Sequence, residues 1–265
     1  DLEMDSELYI MSFDKYLEKI LSEDKEFIED AKYKNSYEII KDLDNLVKEM
    51  DKDYFHVEDV KYFGDLVISK EEIEEMFNKH YEYMPLFRRS EKIKRIILSK
   101  IKDKRDEKVW ELNEELRKEK EKLTPEELLI EENNLEFRRK LRIREIVKEV
   151  MDSRAKLDSW ISREDVLDIY DRFNGNKKEY TINDLAPILY LAIKLEGKKA
   201  TKDYRHVVID EAQDYSPLQF KVVRELTGTK YFTVVGDVNQ RLIKYSDLAP
   251  MMELGKIFDD VNPDI

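Results

Sequence analysis

The sequence predicts an α/β domain built on a parallel sheet and interrupted by a mostly-α insertion whose main feature is a long antiparallel helical hairpin. Three observations lead there. Val207-Val208-Ile209 and Tyr231-Phe232-Thr233-Val234-Val235 are short β-branched runs, each followed at once by polar residues, with a helix pattern over 217–226 between them. Strand, helix, strand within about thirty residues is a crossover unit that makes the two strands parallel neighbours. Upstream, 90–122 contains no Gly or Pro and is dense in Lys, Glu, Arg, Ile and Leu, and a second such stretch follows Pro125 and runs to about residue 160.

Taken in order, Glu7-Leu8-Tyr9-Ile10-Met11 reads as a strand of the same sheet, with Ser12 capping a helix over 13–21. Residues 37–50 place Ile39, Ile40, Leu43, Leu46, Val47 and Met50 on one helical face. Residues 56–60 and 65–68 flank Phe63-Gly64 as a small hairpin, and Ser69 with Glu72 forms a capping box for the next helix. Thr124 caps and Pro125 opens the second long helix. Two helices of roughly thirty residues give a hairpin about 45 Å long. Ile93, Ile97 and Ile101 are expected to face Ile143, Val147 and Val150; no heptad persists over 102–123, so pairing there is expected to be loose or bent. Helices over 163–173 and 182–195 follow, separated by an Asn174-Gly175-Asn176 turn; the second is apolar on most sides and is expected to pack on the sheet.

The chain has 265 residues, 41% of them charged, no cysteine and a formal net charge of −13. A disulfide frame, a thiolate nucleophile and a cysteine metal site are excluded. No apolar run reaches membrane-spanning length and no signal pattern opens the chain, so a cytoplasmic protein with no membrane partner is expected. The acidic balance speaks against a surface that coats nucleic acid. The charge is uneven: residues 1–60 hold 19 acidic against 8 basic residues, whereas 88–122 hold 14 basic against 9 acidic. His56 and His80 lack a partner histidine at ligand spacing.

The chemistry concentrates at the strand ends. Asp210 and Glu211 fall at the carboxyl end of the first strand, where open α/β sheets place their ligands. Adjacent carboxylates there suit nucleotide hydrolysis, one holding a magnesium ion that bridges phosphates and one orienting or deprotonating the attacking water. The crossover puts Gln240 on the same sheet edge. Asp237 either caps its turn or approaches the metal, and Asp214 either caps the helix before Pro217 or stands behind the metal site.

Val208-Ile209-Asp210-Glu211-Ala212-Gln213-Asp214, followed by Val234-Val235-Gly236-Asp237 and Gln240, resembles the Walker B and following motifs of the UvrD/Rep-like superfamily I helicases. The resemblance implies a partial RecA-like, P-loop NTPase sheet: 1–24 and 180–265 would be motor domain, with 25–179 inserted as an arm. It implies Asp210 on magnesium, Glu211 as general base, and Gln213 and Gln240 at the γ-phosphate of ATP, with Asp237 beside them. Tyr245 keeps the family's aromatic, which would stack on single-stranded DNA, or is a core residue; Ser246 and Asp247 stand where the family has Arg-Gly, a departure that bears on strand unwinding.

A long helical insertion before the Walker B strand is similar to that of the HelD family, motors that bind bacterial RNA polymerase and clear it from DNA. That resemblance implies core RNA polymerase as the partner of 25–179. A DNA helicase or translocase, and a scaffold with vestigial nucleotide binding, are the other readings; intact Asp210, Glu211, Gln213 and Gln240 weigh against the scaffold. Gly-x-x-x-x-Gly-Lys-Ser/Thr is nowhere present, and Gly255-Lys256 lacks both the upstream glycine and the hydroxyl. With Asp1 at the start and Ile265 at the end, the expectation is a piece of a longer ATP-hydrolysing protein that neither binds nor hydrolyses ATP by itself.

Overall fold

The structure is a computed structural model that describes residues 10–21, 36–161, 164–175, 180–240 and 250–258. In chain order its elements are α1 (Phe13–Leu21), α2 (Ser36–Asp53), β1 (Val60–Tyr62), β2 (Asp65–Ile68), α3 (Lys70–Glu75, continued by a π turn over Met76–His80), α4 (Leu86–Lys120), α5 (Pro125–Ser159), α6 (Val166–Phe173), α7 (Ile182–Glu196), β3 (Val207–Ile209), α8 (Pro217–Thr227), β4 (Phe232–Val234) and α9 (Leu254–Ile257). Two compact units result, one from residues 1–50 and 164–265 and the other from 51–163. Among the described residues, no helix is long and apolar enough to cross a membrane.

In the first unit, β3 and β4 pair in parallel with Val207 opposite Phe232, Val208 opposite Thr233 and Ile209 opposite Val234. α8 is the connection between them. Its start is fixed by Ser216, whose hydroxyl accepts the Gln219 N–H while the Gln219 side chain accepts the Ser216 N–H, with Pro217 at the first helical position. Ser216, not Asp214, is therefore the cap of this helix: the capping box requires the residue three before Gln219. Its end is closed by Gly228 at φ 66. α7 is buried on nearly every side, Leu185, Leu189, Leu191 and Leu195 completely so, and it packs against α1, α6 and α8. That accounts for its unbroken apolar sequence. Beneath the two strands, Ile209, Ala212, Phe220, Val223, Leu254, Ile257 and Phe258 form a core cluster.

Strand β3 is buried on one face only. Ile209 points into the cluster, but Val208 is 67% exposed on the opposite face of this two-stranded sheet. Of the strand expected over 7–11, residues 7–9 lie outside the described residues, and Ile10 and Met11 are exposed and not in a strand.

The second unit is dominated by α4 and α5, 35 residues each, about 52 Å at 1.5 Å per residue. They run antiparallel: Lys94 is ion-paired with Asp158, Arg139 donates to Asn113 at 3.0 Å, and Arg138 to Glu119 at 2.6 Å. Thr124 and Glu127 form the capping box that starts α5, with Pro125 behind it. The seam differs from the expected one. Ile93, Ile97 and Ile101 are fully buried, but they face a helix that buries Leu135, Ile146 and Leu157, while Val147 is 46% exposed. Leu135, Ile146 and Leu157 recur every eleven residues, as do Ser90, Ile101 and Leu112 on α4. Eleven residues is close to three full turns of a straight α-helix, so this seam leaves no heptad to find.

The small hairpin forms as β1 and β2, beginning four residues later than expected, with Tyr62↔Asp65 closing the ladder and Phe63 (φ 48) and Gly64 (φ 85) in the turn. Two consecutive positive φ angles match the right-handed twist of the strands. Tyr62 is 1% exposed and donates its hydroxyl to the Ile146 carbonyl at 3.0 Å, which fixes the hairpin to α5. Ser69 caps α3 by accepting the Glu72 N–H at 3.2 Å.

Candidate functional site

The site is built where the parallel strands end. The Val235 N–H donates to the Ile209 carbonyl at 2.8 Å and the Ala212 N–H to the Val235 carbonyl at 2.9 Å, so the residues after β3 stay laced to those after β4. Between these two bonds the chain reverses through Glu211, which takes φ 49 and ψ 38. Left-handed backbone costs a non-glycine residue about 1 kcal/mol, and such strain persists where surroundings enforce it. The Asp210 carboxylate contributes by accepting the Glu211 N–H at 2.9 Å.

Gln213 is the hub. It is 2% exposed, and its amide nitrogen donates to Glu211 Oε2 at 2.7 Å while its Oε1 accepts the Asp237 N–H at 3.0 Å. Asp237 in turn accepts from the Asn239 N–H at 2.9 Å and from Gln240 Nε2 at 2.8 Å. These two bonds, the backbone one first, hold the Asp237 carboxyl below the usual aspartate range. Asp210, Glu211, Gln213, Asp237 and Gln240 thus form one hydrogen-bonded chain across the carboxyl ends of β3 and β4. Asp237 caps the short turn Val238–Gln240 through these contacts.

Gly236 is a site residue that the sequence reading passed over. A Cβ there would stand 2.5 Å from Gln213 Oε1, 2.9 Å from Met251 Sδ and 3.0 Å from the Ala212 nitrogen. The two strand ends can lie this close only because that position lacks a side chain. A glycine directly after a β-branched strand was the available signal. Behind the turn, Tyr215 packs edge-on against Phe13 of α1 at 4.9 Å, and burial, with the Asp14 and Asp210 charges adding, raises its phenol above the ordinary range.

The donor set suits a hard cation bound together with phosphates. Magnesium is held by one or two carboxylates and completes its shell with water and phosphate oxygens. Asp210 is exposed beside a second carboxylate, and among the described residues no three His, Cys, Asp or Glu side chains cluster as a self-sufficient metal cage. Tyr245, Ser246 and Asp247 lie outside the described residues.

The sequence matches the UvrD/REP helicase N-terminal domain family over residues 3–246. The chain belongs to that family. No curated protein matches the chain. The UvrD/REP match covers both units, and the family is one of helicase-type, ATP-dependent motors that use ATP and magnesium.

Proposed function

We propose that this chain carries the Walker B half of an ATPase site in a superfamily I motor whose full-length parent binds core RNA polymerase and releases it from DNA. The observation that carries the motor reading is the hydrogen-bonded chain from Asp210 to Gln240. It joins three carboxylates and two amides across adjacent parallel strand ends, as a RecA-like sheet would require. Exposed Val208 fits a sheet that the rest of the parent extends and covers.

In this reading Asp210 holds magnesium, which when bound neutralises charge on the phosphate oxygens during phosphoryl transfer. Glu211 accepts the proton of the attacking water. Gln213 fixes one oxygen of that carboxylate and leaves the other for the water. Gln240, tethered through Asp237, is placed to respond to the terminal phosphate, and Asp237 supports it. The phosphate loop is not among these 265 residues, so the isolated chain is expected not to hydrolyse ATP.

The polymerase assignment rests on the resemblance to the HelD family, and the compact helical unit over 51–163, placed ahead of the Walker B strand, supports it. We place that unit, with its flanks over 25–179, as the partner-binding arm of a cytoplasmic factor. The second reading is a UvrD/Rep-type helicase or translocase acting on single-stranded DNA, with Tyr245 stacking on bases. The family match favours it as much as the first.

The deciding experiment measures ATP turnover of the full-length parent alone, with single-stranded DNA and with core RNA polymerase. Weak dependence on DNA together with tight polymerase binding, lost when about residues 90–160 are deleted, supports the recycling reading. Strong stimulation by DNA with no stable polymerase complex overturns it in favour of the helicase.

A further inference from the structure

The outward face of α5 carries a second periodicity that the hairpin's own packing does not use. The buried residues Leu135, Ile146 and Leu157 lie on one side. On the opposite side Ile130, Phe137, Arg144 and Met151 recur every seven residues, each followed four residues later by Asn134, Leu141, Lys148 and Ala155. All eight are exposed, Ile130 to 77%, Phe137 to 61% and Met151 to 66%. At 100° per residue they fall in a stripe about 100° wide and about 39 Å long. An alternation of four and three over this length is the pattern of a coiled-coil seam.

The centre of the stripe is cationic. Neighbouring Arg138, Lys140 and Arg142 are ion-paired with Glu119, Glu136 and Glu145. Among the described residues no ion pair holds Arg144 or Lys148, the two cations on the stripe itself. A helix laid along this face meets apolar side chains at both ends and two unneutralised positive charges in the middle. Carboxylates opposite those charges are attracted, while lysines there are rejected. Parallel, in-register pairing with a second copy is disfavoured too, because it sets Arg144 and Lys148 against their own copies.

We propose that the outward face of α5 docks an amphipathic helix of a partner protein, apolar at its two ends and carboxylate-bearing at its centre. This deepens the partner-binding reading of the helical unit and rests on it.

The test uses the full-length parent and two synthetic four-heptad peptides, apolar along the seam with either Glu or Lys at the central positions, followed by fluorescence anisotropy. The Glu peptide is expected to bind. Arg144→Glu with Lys148→Glu should weaken it about tenfold or more and let the Lys peptide bind instead. Both side chains are exposed, and unchanged Trp fluorescence serves as the folding control. Equal binding of the two peptides, or Glu-peptide binding that ignores the double substitution, overturns the proposal. So does loss of single-stranded DNA binding in the double variant when the Glu peptide never bound, because the face is then a nucleic-acid contact. Core RNA polymerase added as a competitor separates this proposal from the polymerase assignment. If the Glu peptide binds and the polymerase neither binds nor displaces it, the docking face stands and the assignment falls. If the polymerase binds both parent and variant while the peptides do not bind, the docking face falls and the assignment stands.

Discussion

Replacing Gly236 by alanine tests the site at its tightest point. The new Cβ would meet Gln213 Oε1 at 2.5 Å, Met251 Sδ at 2.9 Å and the Ala212 nitrogen at 3.0 Å. The methionine can swing aside, but Ala212 is backbone, is fully buried and is tied to the Val235 carbonyl. The strain therefore goes into Gln213. Moving its amide breaks the 2.7 Å bond to Glu211 and the 3.0 Å bond from Asp237, and leaves a side chain that is 2% exposed without those partners. Leaving both ends of this buried amide unsatisfied costs about 2–4 kcal/mol in all. At about 1.5 kcal/mol per molar urea, the midpoint of the sheet-bearing unit should fall by about 1.5–2.5 M. Far-UV circular dichroism follows the helices of both units, so the shift is read in the part of the transition that tryptophan fluorescence does not report. Tryptophan fluorescence is an internal control, because Trp110 and Trp160 both lie within 51–163. A midpoint within about 0.3 M of the unsubstituted chain would refute the argument that the two strand ends are held by close approach at this glycine.

Three further outcomes are expected. Ile146→Ala, which empties a buried seam position, should cost about 2–4 kcal/mol by tryptophan fluorescence, whereas Val147→Ala should stay within about 0.5 kcal/mol; the reverse order would sink the eleven-residue register. Asp237 should titrate below 3.8 by carbon-13 NMR. A depressed folded-state value means its contribution to stability is present above the unfolded value and is lost as pH falls through the depressed one; titration at or above 3.8 would remove the capping role given to Asn239 and Gln240. In the proposed full-length motor, Glu211→Gln should lower ATP turnover by about 10²–10⁴ while nucleotide binding, read by equilibrium dialysis, persists; turnover within a few-fold of the unsubstituted protein would exclude Glu211 as the base.

The helices were legible because their signals are local. α1, α7 and α8 begin and end within a residue or two of where caps, prolines and apolar periodicity put them. Ser216 took the capping position from Asp214 because Gln219 completes a reciprocal pair with it. The hairpin was legible in outline, yet its seam on α5 was not. Val147 and Ile146 are adjacent and equally apolar, and only the facing surface of α4 decides which is buried.

For the site, the sequence by itself determined which groups stand at the ends of β3 and β4, since β-branched runs followed by Asp210-Glu211 and Gly236-Asp237 fix chemistry to strand ends through nearest neighbours alone. Only the tertiary structure decided how those groups address one another. The left-handed Glu211, the buried Gln213 amide that bridges Glu211 to Asp237, and the space left by Gly236 all depend on contacts more than twenty residues apart in the chain. They arise because parallel pairing brings the ends of two strands together around α8, a proximity that no local pattern encodes.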